Sequence, residues 1–269
     1  MGGEQIQSIK LPFREALKTQ FRVLYALLLR ESSLRMGAHR FGHLLVVTEV
    51  IWGTTILGVI HYIVGAPAPV GKSIVFYIFT GMFIYTLYRT LHARVSAALE
   101  ANRALLSYPV IRPVDTMLAR AGLESAFQLL AFLLFYTCFF WLELAGFPAH
   151  PVELLAAIMA TILLGFGLGV TGMILRSLWS VWGTIDNMIA RVLFFISGIF
   201  FSVEYLPAMF RDILVWNPLV HAIEWLRYAI YPEYFTQILD REYLLAWGLI
   251  STVFGLGMER LRRAQLLEG

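Results

Sequence analysis

The stretch that most resembles a chemical motif is GAPAPVGKS, residues 65–73. It is close to the phosphate-binding loop G-x-x-x-x-G-K-[ST], whose successive backbone N–H groups surround the phosphates of a nucleotide. Here five residues separate Gly65 from Gly71, one more than the motif has, and Pro67 and Pro69 have no backbone N–H to donate. The sequence of this loop therefore argues against nucleotide binding.

Residue combinations typical of catalysis or metal binding are also missing from the sequence. It has no H-E-x-x-H, no G-x-S-x-G and no pair of cysteines, since Cys138 is the single cysteine. His221 and Glu224 share a helical face, but two ligands are too few for a metal site, and a polar contact at a helix surface is the simpler interpretation. A membrane enzyme acting on lipids would need a nucleophile with its base, or a metal set. We expect no catalytic, cofactor-binding or metal-binding residue on this chain.

Charged residues inside apolar segments are better candidates for function, because a charge in lipid is costly unless it is paired or hydrated. Glu49 lies eight residues into the first apolar segment. Its role is either that of a pathway or gate residue, or that of a structural ion pair with Arg89, Arg94 or Arg191. Arg89, His92 and Arg94 cluster at the inner end of the second segment, where they could receive an anionic head group. Ordinary snorkelling of basic side chains towards the cytoplasm is the alternative. The predicted substrate-pathway residues are thus Glu49, Arg89, His92 and Arg94.

The composition places these residues in an integral membrane protein. Of 269 residues, 59% are hydrophobic and 14% are charged, against about 45–50% and about 25% in soluble domains. The mean hydropathy is +0.71. The first forty residues hold seven Lys or Arg and lack an apolar run of signal-peptide type, so we expect no cleaved signal.

Six apolar segments are predicted to cross the membrane as helices, which need about 20 residues each. They are 41–64, 74–91, 121–144, 154–175, 188–203 and 243–258, the last two being short. A cytoplasmic N-terminus leaves 17 Lys and Arg residues on the inner side and 4 on the outer side. The four are Lys72, Arg211, Arg227 and Arg241. Both termini are therefore predicted to be cytoplasmic, and loop 65–73 is then external, away from cytoplasmic ATP.

In the fourth segment, Gly165 and Gly169 predict close helix packing.

The N-terminal region, residues 1–40, has the pattern of an amphipathic basic helix. Its apolar residues recur at helical spacing at Phe13, Leu17, Phe21, Leu24 and Leu28. Its basic residues Arg14, Lys18 and Arg22 recur beside them every four positions. This pattern favours a helix in the cytoplasmic membrane interface over a soluble helix packed on another domain.

Segment 204–235 is aromatic and is interrupted at Pro207, Pro218 and Pro232. Each uninterrupted piece is too short to span a membrane. A re-entrant helical hairpin in the outer leaflet, over 204–240 and before the last span, fits this pattern. A small external subdomain is the alternative.

The connection 88–120 is long for a link between two spans. It contains a short apolar helix pattern over 99–106, followed by Pro109 and Pro113. Such a cytoplasmic helix, held between two spans, is suited to receive the push of an energy-supplying partner. A simple connector is the alternative interpretation.

Three motifs make the chain resemble the inner-membrane permease subunits of capsular polysaccharide exporters, which belong to the ATP-binding-cassette superfamily. They are EAN at 100–102, RPVDT at 112–116 and WNPLVHAIE at 216–224. The resemblance runs from about Arg30 to the C-terminus and includes the order of the parts. It implies an all-α integral membrane protein with six transmembrane helices, an N-terminal interfacial helix and the re-entrant hairpin. The hairpin residues that carry it are Trp216, Asn217, Pro218, His221 and Glu224.

The resemblance also implies partners and roles. The permease would be a homodimer with two separate ATP-hydrolysing subunits, so that ATP and Mg bind to the partner chain and this chain is not itself an enzyme. Segment 100–115 would be the helix that couples to the ATPase, through Glu100, Asn102, Arg103, Leu105 and Leu106. The first and fifth spans of both copies would line a channel for a lipid-linked acidic polysaccharide, and Arg94 matches a basic position of the family. Many relatives have proline in the middle of the first span, whereas here Val50 follows Glu49.

The cellular setting and the cargo follow from the same resemblance. It implies the inner membrane of bacteria with two membranes, with a periplasmic adaptor and an outer-membrane channel continuing the path. O-antigen, teichoic acid or a small lipophilic compound are alternative cargoes. The whole chain, 1–269, is predicted to be one permease domain. Its parts are 1–40 (cytoplasmic interfacial region), 41–203 (spans one to five), 204–240 (hairpin) and 241–269 (last span and cytoplasmic tail).

Overall fold

The computed structural model describes residues 13–38, 53–56, 58–60, 63–65, 68–105 and 111–268, and these residues contain helices and turns but no strand. The elements in chain order are α1 (Phe13–Ala38), α2 (Ile74–Ser96), α3 (Ala98–Ala101), a 3-10 turn (Arg103–Leu105), α4 (Pro113–Trp141), α5 (Pro151–Leu178), α6 (Trp182–Ile196), a second 3-10 turn (Val203–Tyr205), α7 (Ala208–Leu214), α8 (Pro218–Ile230) and α9 (Arg241–Glu268). Residues 53–56, 58–60 and 63–64 are helical as well.

Four of these helices are long and apolar enough to cross a membrane: α2, α4, α5 and residues Arg241–Arg263 of α9. The most buried is α2, which packs against α4, α5 and α8. Its core contacts with α4 are aromatic, with Phe79 and Phe83 lying 6.0 and 4.3 Å, ring centre to ring centre, from Phe132. The central position of α2 therefore brings its two ends into contact with most other elements.

Glycines on α5 permit a close approach to α2, as predicted for Gly165 and Gly169. A Cβ on Gly169 would lie 2.8 Å from Cβ of Val95, and one on Gly165 would lie 3.1 Å from Cδ2 of Leu91. Larger side chains at these positions would push α5 away from α2. The predicted close packing is confirmed.

Local sequence signals explain where several helices begin. The Ser73 hydroxyl accepts a hydrogen bond from the backbone N–H of Phe76 at the start of α2. Pro113 and Pro218 occupy the first turns of α4 and α8, where a missing N–H costs nothing. The side chain of Asn217 caps α8 by accepting from the N–H of Leu219. The RPVDT and WNP motifs are thus, in part, helix start signals.

The bounds predicted for the fifth span, 188–203, were wrong. Helix α6 begins six residues earlier and ends at Ile196, so its 15 residues are shorter than a usual span. The chain turns at Gly198, whose φ of +76° lies in the left-handed region that glycine tolerates. The sixth predicted span, by contrast, lies within the longer helix α9.

The hairpin region breaks where its prolines predicted. Pro207 precedes α7, Pro218 begins α8, and α8 ends at Ile230, just before Pro232. The first predicted span, 41–64, falls only in part within the described residues. The six-span count and the depth of the hairpin in the membrane stay predictions.

Candidate functional site

The predicted site residues that the structure describes lie in three places: the C-terminal end of α2, the connection after it, and the hairpin. Glu49 and Leu106 lie outside the described residues.

At the C-terminal end of α2, two of the predicted pathway residues face α6. His92 Nε2 lies 2.8 Å from Oδ1 of Asp186, and Arg89 donates a 2.5 Å hydrogen bond to Oδ1 of Asn187. A second Arg89 nitrogen lies 3.9 Å from Asp186. Asp186 and Asn187 were not among the residues predicted from the sequence. Two adjacent polar residues, one of them charged, in a predominantly apolar helix are the signal that could have found them.

Arg94 does not belong to this group, so the predicted cluster of three was wrong. Its Nε lies 3.5 Å from Oε2 of Glu124 on α4, which is buried, while Arg94 itself is half exposed. Residues three apart on a helix share a face, as Arg89 and His92 do, whereas Arg94 follows His92 by only two positions and points elsewhere.

A cavity of about 320 Å³ adjoins the His92–Asp186 pair and extends to the start of α8. Its wall is mostly apolar and comes from α2, α5, α6 and α9. At the end of the cavity near this pair, His92 Nδ1, Trp182 Nε1 and Asp186 Oδ2 are buried without a hydrogen-bond partner among the described residues. Such atoms are costly to leave unpaired. They are therefore available to a polar group that enters the cavity.

The connection after α2 forms two short helical turns, at Ala98–Ala101 and Arg103–Leu105, rather than one helix. Asn102 lies at the break and is buried. Its amide donates to the carbonyl of Ala98 and accepts from Arg30 of α1, at 3.1 and 3.0 Å. The predicted coupling residues are thus of two kinds: Asn102 faces the protein, whereas Glu100 and Arg103 are exposed. Leu105 is partly exposed.

Polar contacts fasten α1 to the beginning of α4. Glu31 lies 2.6 Å from Nε of Arg120, and Gln20 donates a hydrogen bond to Asp115. On its other side α1 exposes Phe21 and Tyr25. Helix α1 therefore has one face joined to the bundle and one apolar face open to its surroundings.

In the hairpin, the interpretation of His221 and Glu224 as surface residues was wrong, because both are fully buried. His221 Nε2 donates to the carbonyl of Val215, and Nδ1 accepts from the N–H of Asp240, so the ring is neutral. Burial lowers the pKa of His221, which lies outside the spanning helices. Of the other predicted residues, Trp216 is exposed.

Arg227 is the residue that sequence reasoning missed most clearly, since it was counted as an external charge. It is fully buried, and its two terminal nitrogens each donate a 2.9 Å hydrogen bond, one to the carbonyl of Gly198 and one to that of Ile199. Its guanidinium carbon lies 3.8 Å from the centre of the Tyr77 ring on α2. The signal was its spacing three residues after Glu224 in an apolar helix.

Glu224 completes this buried network. One of its oxygens lies 3.5 Å from Arg227, and the other accepts a 2.5 Å hydrogen bond from Tyr234. Asn217 donates to Ser197 directly before the same turn. The network joins the hairpin, the end of α6 and the N-terminal half of α2. Among the described residues, no group of three or more His, Cys, Asp or Glu is placed to hold a metal ion.

Known proteins similar to this chain match it over nearly its full length. The polysialic acid transport protein KpsM of Escherichia coli is 28% identical over 259 residues, 94% of this chain and 98% of that protein. The capsule polysaccharide export inner-membrane protein BexB of Haemophilus influenzae is 27% identical over 249 residues, 93% of this chain and 94% of BexB. CtrC of Neisseria meningitidis serogroup B, of the same description, is 27% identical over 252 residues, with the same two coverages.

The family comparison agrees with the helical architecture and with the resemblance noted in the sequence. Residues 23–231, from α1 through the end of α8, match the model of the ABC-2 type transporter membrane domain. That range covers more than half of the chain and includes every described residue of the predicted site. The chain therefore belongs to the ABC-2 type transporter family.

Proposed function

We propose that this chain is the permease subunit of an ATP-driven exporter that moves a lipid-linked acidic capsular polysaccharide across the bacterial inner membrane. The observation that carries the proposal is the near full-length similarity to proteins named for polysialic acid transport and capsule polysaccharide export. The chain acts as a homodimer with two separate ATPase subunits. ATP and Mg are bound and hydrolysed there, and a periplasmic adaptor and an outer-membrane channel continue the path.

The proposed arrangement has six spans with both termini in the cytoplasm, within one permease domain. Support comes from the four long apolar helices and from the charge distribution of the sequence. The exposed apolar face of α1, with Phe21 and Tyr25, suits the cytoplasmic leaflet. The exposed residues Met209 and Phe210 of the short helix α7 suit a hairpin that dips into the outer leaflet.

The ATPase docks on the short turns between α2 and α4. Glu100 and Arg103 are exposed there and free to contact a partner surface, while Asn102 fixes the turns to α1 through Arg30. Glu100 also lies 3.7 Å from Arg176 at the end of α5. A push on these turns would be transmitted to α1, α2 and α5 together.

The cargo passes along α6 and the inner end of α2. Helix α6 leaves an apolar face exposed over its whole length, at Ile185, Met188, Ile189, Val192 and Phe195. Arg89 and His92 meet α6 at its cytoplasmic half, next to buried polar atoms that lack partners among the described residues. This arrangement supports entry of an anionic head group at that end and passage of the glycan along the exposed face.

Deletion of the chain in its own cell tests the proposal. We expect a bare surface and glycolipid accumulating in the cytoplasm, seen by electron microscopy and fractionation, with recovery when the chain is supplied again. The stalled material identifies the cargo and distinguishes capsule from O-antigen or teichoic acid. A normal surface glycan in the deletion strain would reject the proposal, and export of a small lipophilic compound would then be the next activity to assay.

A further inference from the structure

A second cavity, of about 530 Å³, lies where α1, the beginning of α4 and the end of α9 meet. It is at the same end of the bundle as the connection between α2 and α4, which the charge distribution places in the cytoplasm. Its lining includes Arg112, Val114 and Asp115 at the end of the coupling segment 100–115, but none of the residues named above for contact with cargo or ATPase. We call it the α1–α4–α9 cleft.

Three guanidinium groups line the cleft: those of Arg112, Arg260 and Arg263. Arg263 lies 3.8 Å from Glu259. Arg112 and Arg260 are exposed, and neither side chain forms an ion pair with any residue that the structure describes. Two unpaired cations in one concave site attract an anion.

The two carboxylates of the cleft lie deeper than these arginines. Asp115 is buried, and its oxygens accept hydrogen bonds from Gln20 and from the backbone N–H of Arg112. Glu259 is 4% exposed, with Arg263 as its neighbour. The acidic groups are thus withdrawn from solvent, and the accessible charge of the cleft is positive.

An apolar wall connects the cleft to the outer surface of the bundle. Leu118 of α4 is exposed and Leu256 of α9 is partly exposed. Ile250, Val253 and Phe254 continue the exposed apolar surface along α9, which is a candidate membrane span. A molecule with a charged head and an apolar tail would match both parts of this surface.

We propose that the α1–α4–α9 cleft binds an anionic phospholipid of the cytoplasmic leaflet. Arg112 and Arg260 donate hydrogen bonds to its phosphate, because the planar guanidinium can offer two parallel N–H groups to phosphate oxygens. The acyl chains lie along Leu118 and Leu256 and continue over the exposed face of α9. Basic pockets between helices on the cytoplasmic side are suited to such head groups.

The bound lipid joins three elements that surround the ATPase-coupling connection. It touches α4 at its first turn, which directly follows that connection, and it reaches α9 near its cytoplasmic end. Because the lipid binds only the folded arrangement, it stabilises the permease by an amount that rises with the logarithm of the lipid concentration once the site is saturated. This role is independent of the cargo.

Native mass spectrometry of the purified full-length chain in detergent tests the proposal. Phosphatidylglycerol and phosphatidylcholine are titrated separately against the wild type, the variant Arg112→Gln/Arg260→Gln and the control Arg211→Gln/Arg262→Gln. The control removes the same charge, and neither of its residues lines the cleft. We expect the wild type and the control to bind phosphatidylglycerol about tenfold more tightly than phosphatidylcholine, and the variant to lose that preference, because the charge-assisted hydrogen bonds of the two guanidinium groups would be lost.

A preference for phosphatidylglycerol that survives in the Gln variant, or that is missing in the wild type, would overturn the proposal. Inorganic phosphate is added in a further arm. If it displaces phosphatidylglycerol at equal concentration, the site is one for free anions and the lipid assignment fails. The variant Arg112→Lys/Arg260→Lys keeps both charges and serves as a control for misfolding of the Gln variant. It should bind phosphatidylglycerol more weakly than the wild type, and equal binding would contradict the guanidinium–phosphate contact.

Discussion

Arg227 carries a full positive charge in the most buried part of α8, where its hydrogen bonds stabilise the turn after α6. Its hydrogen bonds satisfy the carbonyls of Gly198 and Ile199, which the chain leaves unpaired by turning at the end of α6. Gly81 permits this approach, since a Cβ there would lie 2.9 Å from Cα of Ile199 and 3.1 Å from the Arg227 guanidinium. Arg227 therefore supplies the hydrogen bonds that these two carbonyls would have accepted if α6 had continued as a helix.

Removal of this guanidinium should be among the most damaging single changes in the chain. We expect Arg227→Met to lower the free energy of unfolding by about 3–5 kcal/mol, because it leaves Glu224 as a buried charge without its cation. The measurement is denaturant unfolding of the purified chain. Arg211→Met, on the neighbouring helix α7, is the matched control and should change stability little. Equal stability of the two variants would show that the buried network is not holding the hairpin.

At the scale of single elements, the connection between α2 and α4 contains residues of two kinds, one that holds the fold together and one that is exposed to the proposed ATPase. Asn102→Ala should lower the melting temperature of the isolated permease, because it leaves the partly buried Arg30 guanidinium without its acceptor, at a cost of about 1 kcal/mol. Glu100→Ala/Arg103→Ala should leave that temperature unchanged and weaken association with the ATPase. Thermal unfolding and co-purification of the ATPase measure the two effects. The assignment fails if the exposed pair alters stability while ATPase binding stays normal.

Helix α6 gives a second prediction at the same scale. Val192→Trp or Met188→Trp, on its exposed apolar face, should reduce export strongly, because a large ring would narrow the proposed channel. Met159→Trp is the control, since Met159 is also exposed but lies on α5, away from the proposed path. Surface polysaccharide is measured alongside the amount of inserted permease. Equal export in all three variants would show that this face of α6 borders lipid only.

The elements that sequence could predict are those defined by local signals. Pro218 with Asn217, and Pro113, mark helix starts through their own backbone chemistry, and the breaks in the hairpin followed from its prolines. The end of α6 was missed because it depends on Arg227, which is 29 residues further along the chain. His92 and Asp186 are 94 residues apart, so their contact follows from the packing of α2 on α6 and from no short motif.

At the scale of the whole molecule, the two ends of the bundle differ in how they are built. The end with Gly198, Glu224 and Arg227 is a closed network with buried charges, suited to holding a hairpin in place. The opposite end holds exposed Glu100 and Arg103 and the positively charged α1–α4–α9 cleft, suited to contacts with other molecules. This difference agrees with a protein that receives ATPase and lipid on one side.

The orientation of the bundle determines which partner meets which end, and cysteine labelling tests it directly. In a Cys138→Ser background, Lys72→Cys and Trp216→Cys should react with a membrane-impermeant maleimide added to intact spheroplasts, because both positions are exposed at the proposed outer end. Arg103→Cys and Arg262→Cys should react only after permeabilisation. The reverse pattern would invert the topology and remove the docking site for a cytoplasmic ATPase. Labelling of residue 72 but not of residue 216 would be consistent with the proposed orientation. It would also show that residue 216 of the hairpin lies within the membrane, because the exposed indole of Trp216 would then face lipid rather than water.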